Sequence, residues 1–230
     1  MIFTSFRSRS SVTERLDRGE FTNTEYRRWQ KEMWFIHRFF GEVRALRNTL
    51  VAEIESTHES SVSVLEIAAG SGGLLAYLKQ RIRRSKLTRI GLEISADSTL
   101  SIADNGCIAV RGDGLDLPFA NNSVDFVFTT LFLHHLDEAQ AIQLMSEMDR
   151  VARRKFFIID LDRRPVPYLL YRLFGAILLQ RFTRDDGALS IRRAYRRREL
   201  EAIAIKAGLK QFKVKRSAIN RLVLVGGGRV

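Results

Sequence analysis

Val64-Leu65-Glu66-Ile67-Ala68-Ala69-Gly70-Ser71-Gly72-Gly73 reads as a strand, a tight turn and the start of a helix. Val62 to Ile67 is a short apolar run of strand length. Small residues at 68, 70 and 72 let the backbone turn sharply and come close to a ligand. Leu74, Leu75, Leu78 and Ile82 then recur at helical spacing, and the start of that helix leaves free N–H groups at the turn. A Gly-rich turn alone also fits close helix–strand packing. Two further strand tips argue for a ligand. Thr88 to Ile94 is a second strand, and Gly91-Leu92-Glu93 near its end places a carboxylate where it can accept both hydroxyls of a ribose. Cys107 to Arg111 is a third strand, followed by Gly112-Asp113-Gly114-Leu115-Asp116-Leu117-Pro118-Phe119. Asp113 there can accept a hydrogen bond from an adenine amino group. Turn, acid and acid at three consecutive tips place a nucleoside at the C-terminal edge of a sheet.

Working outward, the alternation continues. A helix over Ala96 to Ala103, a strand over Ser123 to Leu131, a helix over Asp137 to Val151 and a strand over Lys155 to Leu161 follow. Apolar strands alternating with helices predict a parallel sheet with helices on both faces. Pro165 to Phe182 reads as an apolar helix with Pro in its first turn, Thr183 to Ser190 as a polar loop, and Arg196 to Ala207 as a helix. Leu209 to Lys215 and Arg221 to Val225 have no helix between them, which predicts an antiparallel pair closing the sheet. Upstream, residues 1–21 read as a polar, loosely ordered lead-in. Thr22 with Glu25 is a capping box, and Tyr26, Trp29, Met33, Ile36, Phe40, Val43, Leu46 and Leu50 form the stripe of one helix, or two closely joined.

These residues resemble the class I S-adenosylmethionine-dependent methyltransferases. Glu66-x-Ala68-x-Gly70-x-Gly72 is similar to that family's first motif, with Ala68 where many members have Gly. The resemblance implies an α/β fold: a Rossmann-like seven-stranded sheet with an antiparallel last strand and helices on both faces. It divides the chain into an N-terminal helical cover, residues 1–58, and a methyltransferase domain, residues 59–230, with an apolar and basic lid at 165–195. It implies S-adenosyl-L-methionine as cofactor, held by Glu66, Ala68, Gly70, Gly72, Glu93, Ile94, Asp113, Gly114, Leu115, Thr129 and Leu131. Asp116-Leu117-Pro118-Phe119 with Ser123-Val124-Asp125 resembles the quinone and small-molecule methyltransferases. Leu131-Phe132-Leu133-His134-His135-Leu136, Asp160-Leu161-Asp162-Arg163 and Asp186-Gly187-Ala188-Leu189-Ser190 resemble bacterial enzymes associated with type III polyketide synthases. That narrower likeness implies a small, hydrophobic, phenolic or polyketide-like acceptor. An NAD(P) dehydrogenase, the competitor at the first motif, needs a second substrate domain and lacks the Gly-Asp-Gly loop.

Three side chains are candidates for the chemistry. His134 and His135 follow the fourth strand, and histidine near neutrality suits taking a proton from a phenol; either could instead cap the next helix. His134 is expected to face the substrate slightly more than His135. Asp160, at the fifth strand's tip, could orient or deprotonate the substrate, or pair with Arg163 or Arg164. Thr129-Thr130-Leu131-Phe132 stands where a Pro-Pro-Tyr type run would mark methylation of an amino nitrogen. Cys107 reads as a core residue of the third strand, and His37 and His58 stand alone, so no metal set is expected.

The 230 residues suffice for one domain with a full core. One cysteine excludes an internal disulfide and a Cys-rich zinc site. The N-terminus lacks the apolar run of a secretory signal, which predicts a cytoplasmic chain. The net charge of +12 first suggests a polyanion. Yet residues 51–162 hold 11 Lys and Arg against 16 Asp and Glu, whereas residues 163–230 hold 17 against 4. The excess lies beside the apolar stretch Tyr168 to Leu179, which suits an anionic membrane at the inner face better than nucleic acid. The cluster of Arg192, Arg193, Arg196, Arg197 and Arg198 reads as a solvated helix face, or as a phosphate-binding patch. A non-catalytic, membrane-associated binding protein on the same scaffold and an RNA methyltransferase are the alternatives.

Overall fold

In the computed structural model, which describes residues 6–83, 85–217 and 219–227, the strands form one sheet. They are β1 (Ser61–Ile67), β2 (Lys86–Glu93), β3 (Ile108–Arg111), β4 (Val124–Thr130), β5 (Ala152–Leu161), β6 (Phe212–Ser217) and β7 (Arg221–Gly227). Their order is β3-β2-β1-β4-β5-β7-β6. The pairs from β3 across to β5 are parallel, and β7 lies antiparallel between β5 and β6. The strand order reverses at β1, where β2 leaves on one side and β4 on the other. In such sheets the crevice for a ligand opens there, past the strands' C-terminal ends.

The central strands are apolar on both faces because helices cover both. Every residue of β4 is buried. On one face Leu65, Val127, Phe156 and Ile158 pack on α6 (Glu138–Val151) and α9 (Arg197–Lys206) through Leu144, Met148, Leu200 and Ile203. On the other, Val64, Phe126, Phe128 and Phe157 pack on α4 (Gly73–Arg81) and α5 (Ala96–Asp104). The same face takes Leu46, Leu50 and Ile54 from α2 (Glu42–Leu46), a π-helical turn (Arg47–Val51) and α3 (Ala52–Ser56). Asp137 caps α6 with a capping box to Gln140, so neither adjacent histidine is needed for that role.

The expected box at Thr22 is present and starts α1 (Asn23–Phe39). Gly41, at φ +101°, turns the chain from α1 into α2, which splits the long apolar stripe. Two expectations are corrected. Thr183 to Ser190 is not a loop: α7 (Pro165–Leu178) ends early, and α8 (Arg181–Arg193) runs through this stretch. Its polar look arises because Thr183, Asp186 and Ser190 are buried polar residues facing partners within the fold. At Gly187 a Cβ would lie 2.1 Å from the Tyr171 hydroxyl oxygen. Only glycine lets α7 and α8 approach this closely, and Tyr171 uses the approach to donate to the Thr183 carbonyl (2.9 Å). Nor is the lead-in loosely ordered where it is described. Phe6 and Glu14 are buried, and both oxygens of Asp186 accept backbone N–H groups, from Arg15 (3.1 Å) and Leu16 (2.9 Å). Residues 1–5 lie outside the described residues.

Candidate active site

The turn after β1 has the conformation its small residues permit. Ala68, Gly70 and Gly72 lie at φ +54°, +54° and +78°, the left-handed region in which glycine is free of strain. Beside Gly70 a Cβ would meet nothing within 4 Å, so the backbone faces open space. Glu93, at the tip of β2, braces this turn: its carboxylate accepts from the N–H of Gly70 (2.9 Å) and of Ile94 (2.9 Å). Ile94 itself is 66% exposed, an apolar surface at the crevice. Asp113 accepts from the N–H of Leu115 (2.9 Å) and shapes the loop after β3, where Gly114 is buried against Ile67. Thr129 is fully buried and donates to the Ile67 carbonyl (2.9 Å), tying β4 to β1; its side chain is committed to that bond. Leu131 adopts φ +49° as the chain leaves β4.

Glu66 lies under this turn, buried, with Oε2 lacking a hydrogen-bond partner. Burial above all, then the carboxylates of Glu93 and Glu42, push its pKa well above the usual 4.5. The folded state therefore holds a proton there that the unfolded chain releases. Stability is lost as pH rises above the unfolded value. Glu66→Gln removes that loss: its melting temperature is expected to exceed that of the wild type increasingly as pH rises above 4.5, measured by thermal unfolding across pH. An unchanged difference between the two proteins across pH would contradict the assignment.

A cavity of about 290 Å³ lies beyond Leu131. Its apolar wall includes Trp29, Met33 and Ile36 of α1, Phe40 just after it, Leu170, Tyr171 and Phe174 of α7, and Ile191 of α8. Of the aromatic residues in and just after α1, Trp29 and Phe40 face it. Trp34 instead packs near Gly73 at the turn, and Phe39 is exposed.

The polar end is built on a 3₁₀ turn, Leu133–His135. Asp160 accepts from the His134 N–H (3.0 Å) and from the Leu161 N–H (2.6 Å), and meets His134 Nδ1 at 2.7 Å. Burial pushes the Asp160 pKa up, but the His134 charge and these hydrogen bonds outweigh it and hold the group below its ordinary value. His135 Nδ1 meets Asp17 at 3.0 Å. Arg193 donates to the carbonyls of His134 (3.2 Å) and His135 (2.9 Å), and Arg9 to that of His134 (3.0 Å). Thus the turn is clamped by its own carbonyls while both rings are held by carboxylates. His134 and His135 each present Nε2 to Glu14, at 3.7 and 4.0 Å.

All three expected catalytic residues come together here, with two corrections. His134 is buried, at 3% side-chain exposure, and His135 is the more open at 20%, because Asp160 draws the first ring inward. Asp160 does not pair with Arg163, whose guanidinium turns away to Glu199 (2.5 Å). The arginine cluster likewise divides: Arg193 is buried in the site, whereas Arg197 and Arg198 are exposed. Glu14 and Asp17 were invisible in the sequence, since they fall in a stretch without periodicity about 120 residues from the histidines they meet. Cys107 is half-buried just before β3.

Residues 64–155 match the methyltransferase domain family. An uncharacterized methyltransferase of Synechocystis sp. is 33% identical over 104 residues, which is 44% of this chain. The chain spans about half the length of that curated relative, with 47% of it covered. A SAM-dependent methyltransferase from Thermotoga maritima superposes with a TM-score of 0.59 at 19% identity, covering 90% of this chain and 96% of that one. One from Aquifex aeolicus gives 0.54 at 18%, covering 76% and 87%. The plantazolicin methyltransferase in complex with a triazolic analogue and SAH gives 0.58 at 17%, covering 87% and 94%. The seven-stranded sheet with its reversed β7 is the SAM-dependent methyltransferase fold.

Proposed function

We propose that this chain transfers a methyl group from S-adenosylmethionine to a phenolic or polyketide-like hydroxyl of a small hydrophobic acceptor. The observation that carries this reading is an apolar cavity that shares Leu131 with the cofactor crevice and ends in two histidines and a glutamate. The crevice suits that cofactor. Glu93 would take the ribose hydroxyls, Asp113 the adenine amino group, and Ile94 with Leu115 the faces of the base. Ala68, Gly70, Gly72, Gly114, Thr129 and Leu131 would shape the floor. The unpartnered buried carboxyl of Glu66 suits a cationic methionine part. The cofactor supplies a methyl group already activated on a sulfonium, so the protein's work is to position the acceptor and exclude water. The apolar walls do the second. At the polar end, His134, His135 and Glu14 would receive the acceptor's hydroxyl, with Asp160 and Asp17 fixing the rings.

Calorimetric titration with S-adenosylhomocysteine, followed by a screen of phenolic lipids and quinols, tests the reading. A folded sample that binds no S-adenosylhomocysteine sinks it. Cofactor affinity without turnover on any such acceptor would favour a non-catalytic binding protein.

No helix among the described residues is long and apolar enough to cross a membrane. The outward face of α7 nevertheless exposes Leu169, Leu173, Ile177 and Leu178, the last two at 79% and 51%. Arg164, Arg172 and Arg181 are exposed around it. We infer that this face rests on anionic lipid, whose charge complements the arginines and whose chains would deliver a lipidic acceptor to the cavity. Co-sedimentation with phosphatidylglycerol vesicles is expected, and Leu173→Glu with Ile177→Glu should abolish it while leaving S-adenosylhomocysteine affinity unchanged. Equal sedimentation of that variant, or binding to RNA in place of vesicles, would overturn the inference.

A further inference from the structure

The polar end of the cavity contains more acceptors than its hydrogen bonds use. Both histidines meet a carboxylate through Nδ1, at 2.7 and 3.0 Å, and a carboxylate can only accept. Nδ1 therefore carries a hydrogen in each ring, and in the neutral ring Nε2 presents a lone pair. Both lone pairs face the Glu14 carboxylate, at 3.7 and 4.0 Å. These separations are too long for hydrogen bonds. One potential ligand atom from each of three groups thus converges at this end of the cavity, beside the Ser190 hydroxyl that donates to Glu14 (2.9 Å).

We propose that Glu14, His134 and His135 hold a divalent transition-metal ion such as zinc. One ligand atom from each lies within 4.8 Å of the others. Two donors about 2.1 Å from a tetrahedral ion stand about 3.4 Å apart, so side-chain rotations that close these separations by about 1 Å would complete the set. Two nitrogens and one carboxylate oxygen are a common set for zinc in sites that keep a fourth position open. The outer shell is also the kind such ions use: Asp160 on one imidazole and Asp17 on the other fix the tautomer and raise the ligand's basicity. Arg193 in turn fixes Asp17 (3.2 Å).

All three donors line the cavity, so the open position points at the acceptor. This rests on the reading above and deepens it: the acceptor is a hydroxyl compound whose oxygen binds the ion. There its proton passes to solvent water at a lower pH than in the free compound, leaving a charged oxygen as the methyl acceptor.

The full chain, stripped with chelator and shown to be folded, is titrated with Co²⁺ and Zn²⁺. One equivalent should bind, with the visible absorption of tetrahedral cobalt. Glu14→Gln and His135→Ala should each weaken binding at least tenfold, and Asp160→Asn by about 10- to 100-fold. His58→Ala, at an exposed histidine, should change nothing. Absence of stoichiometric binding by the folded wild type overturns the proposal, as does binding that survives His135→Ala. Titration of the same stripped samples with S-adenosylhomocysteine separates the two readings. Retained affinity without any metal binding removes the ion and leaves methyl transfer standing. Metal binding without nucleoside affinity does the reverse.

Discussion

Glu93→Ala is expected to weaken S-adenosylhomocysteine binding by about 10²- to 10³-fold. The carboxylate does two jobs. In the proposed function it accepts the ribose hydroxyls, and hydrogen bonds to a charged group are worth about 1.5–3 kcal/mol each. It also anchors the Gly70 N–H at 2.9 Å, so its loss frees the turn whose three left-handed residues line the crevice. Two such bonds, less some recovery by water, give about 3–4 kcal/mol, which is the stated factor. Asp113→Ala should cost less, about tenfold, since its carboxylate is exposed and partly used by the Leu115 N–H. Calorimetry on both variants checks the order. A Glu93→Ala protein that binds within fivefold of the wild type would remove Glu93 from the cofactor site.

The crevice was legible because its signals are local. A strand, a turn of small residues and a helix lie within about twenty residues, and the acids follow at the next two strand tips. Periodicity alone therefore places Glu66, Glu93 and Asp113 on one edge of the sheet. The polar end of the cavity was only half legible. His134 and His135 follow β4 and inherit its placement. Glu14 and Asp17 reach them through tertiary packing that leaves no periodic trace: Asp186 grips the backbone of Arg15 and Leu16, and Phe6 is buried near Tyr168 (ring centroids 5.2 Å apart). The misread loop has the same origin. Thr183, Asp186 and Ser190 look solvated by composition, yet all three are buried, because α8 uses them to bind the N-terminal segment and α7. Polar residues buried for function mislead a reading that equates polarity with solvent. The charge is a further case. Arg193, Arg163 and Arg9 add to the basic total, but they work inside, on carbonyls of the site and its supports.

Arg163→Ala is expected to be the most destabilising single change among these arginines, at about 3–5 kcal/mol. Arg163 is 1% exposed. Its guanidinium donates to the Phe6 carbonyl (3.1 Å), the Ala194 carbonyl (2.6 Å) and the Glu199 carboxylate (2.5 and 3.1 Å). Truncation leaves the buried Ala194 carbonyl without its donor, at a cost of about 1–3 kcal/mol, leaves the Phe6 carbonyl with Arg196 alone (2.6 Å), and opens a void the size of the side chain. Glu199 loses less, because it is 38% exposed and water can replace the arginine. At this chain length the loss corresponds to a melting temperature lower by about 10 °C. Arg163→Lys keeps one charge but not the planar fork, so it should recover only part of the stability. The position of the damage matters as much as its size. Arg163 joins the end of β5 to the N-terminal segment through Phe6 and to the end of α8 through Ala194. These are the two segments that carry Glu14 and Arg193 onto the histidines. Under conditions where Arg163→Lys remains folded, it should therefore bind cobalt more weakly than the wild type while S-adenosylhomocysteine affinity stays within about twofold. Equal losses in both would mean that Arg163 supports the whole fold rather than the polar end of the cavity.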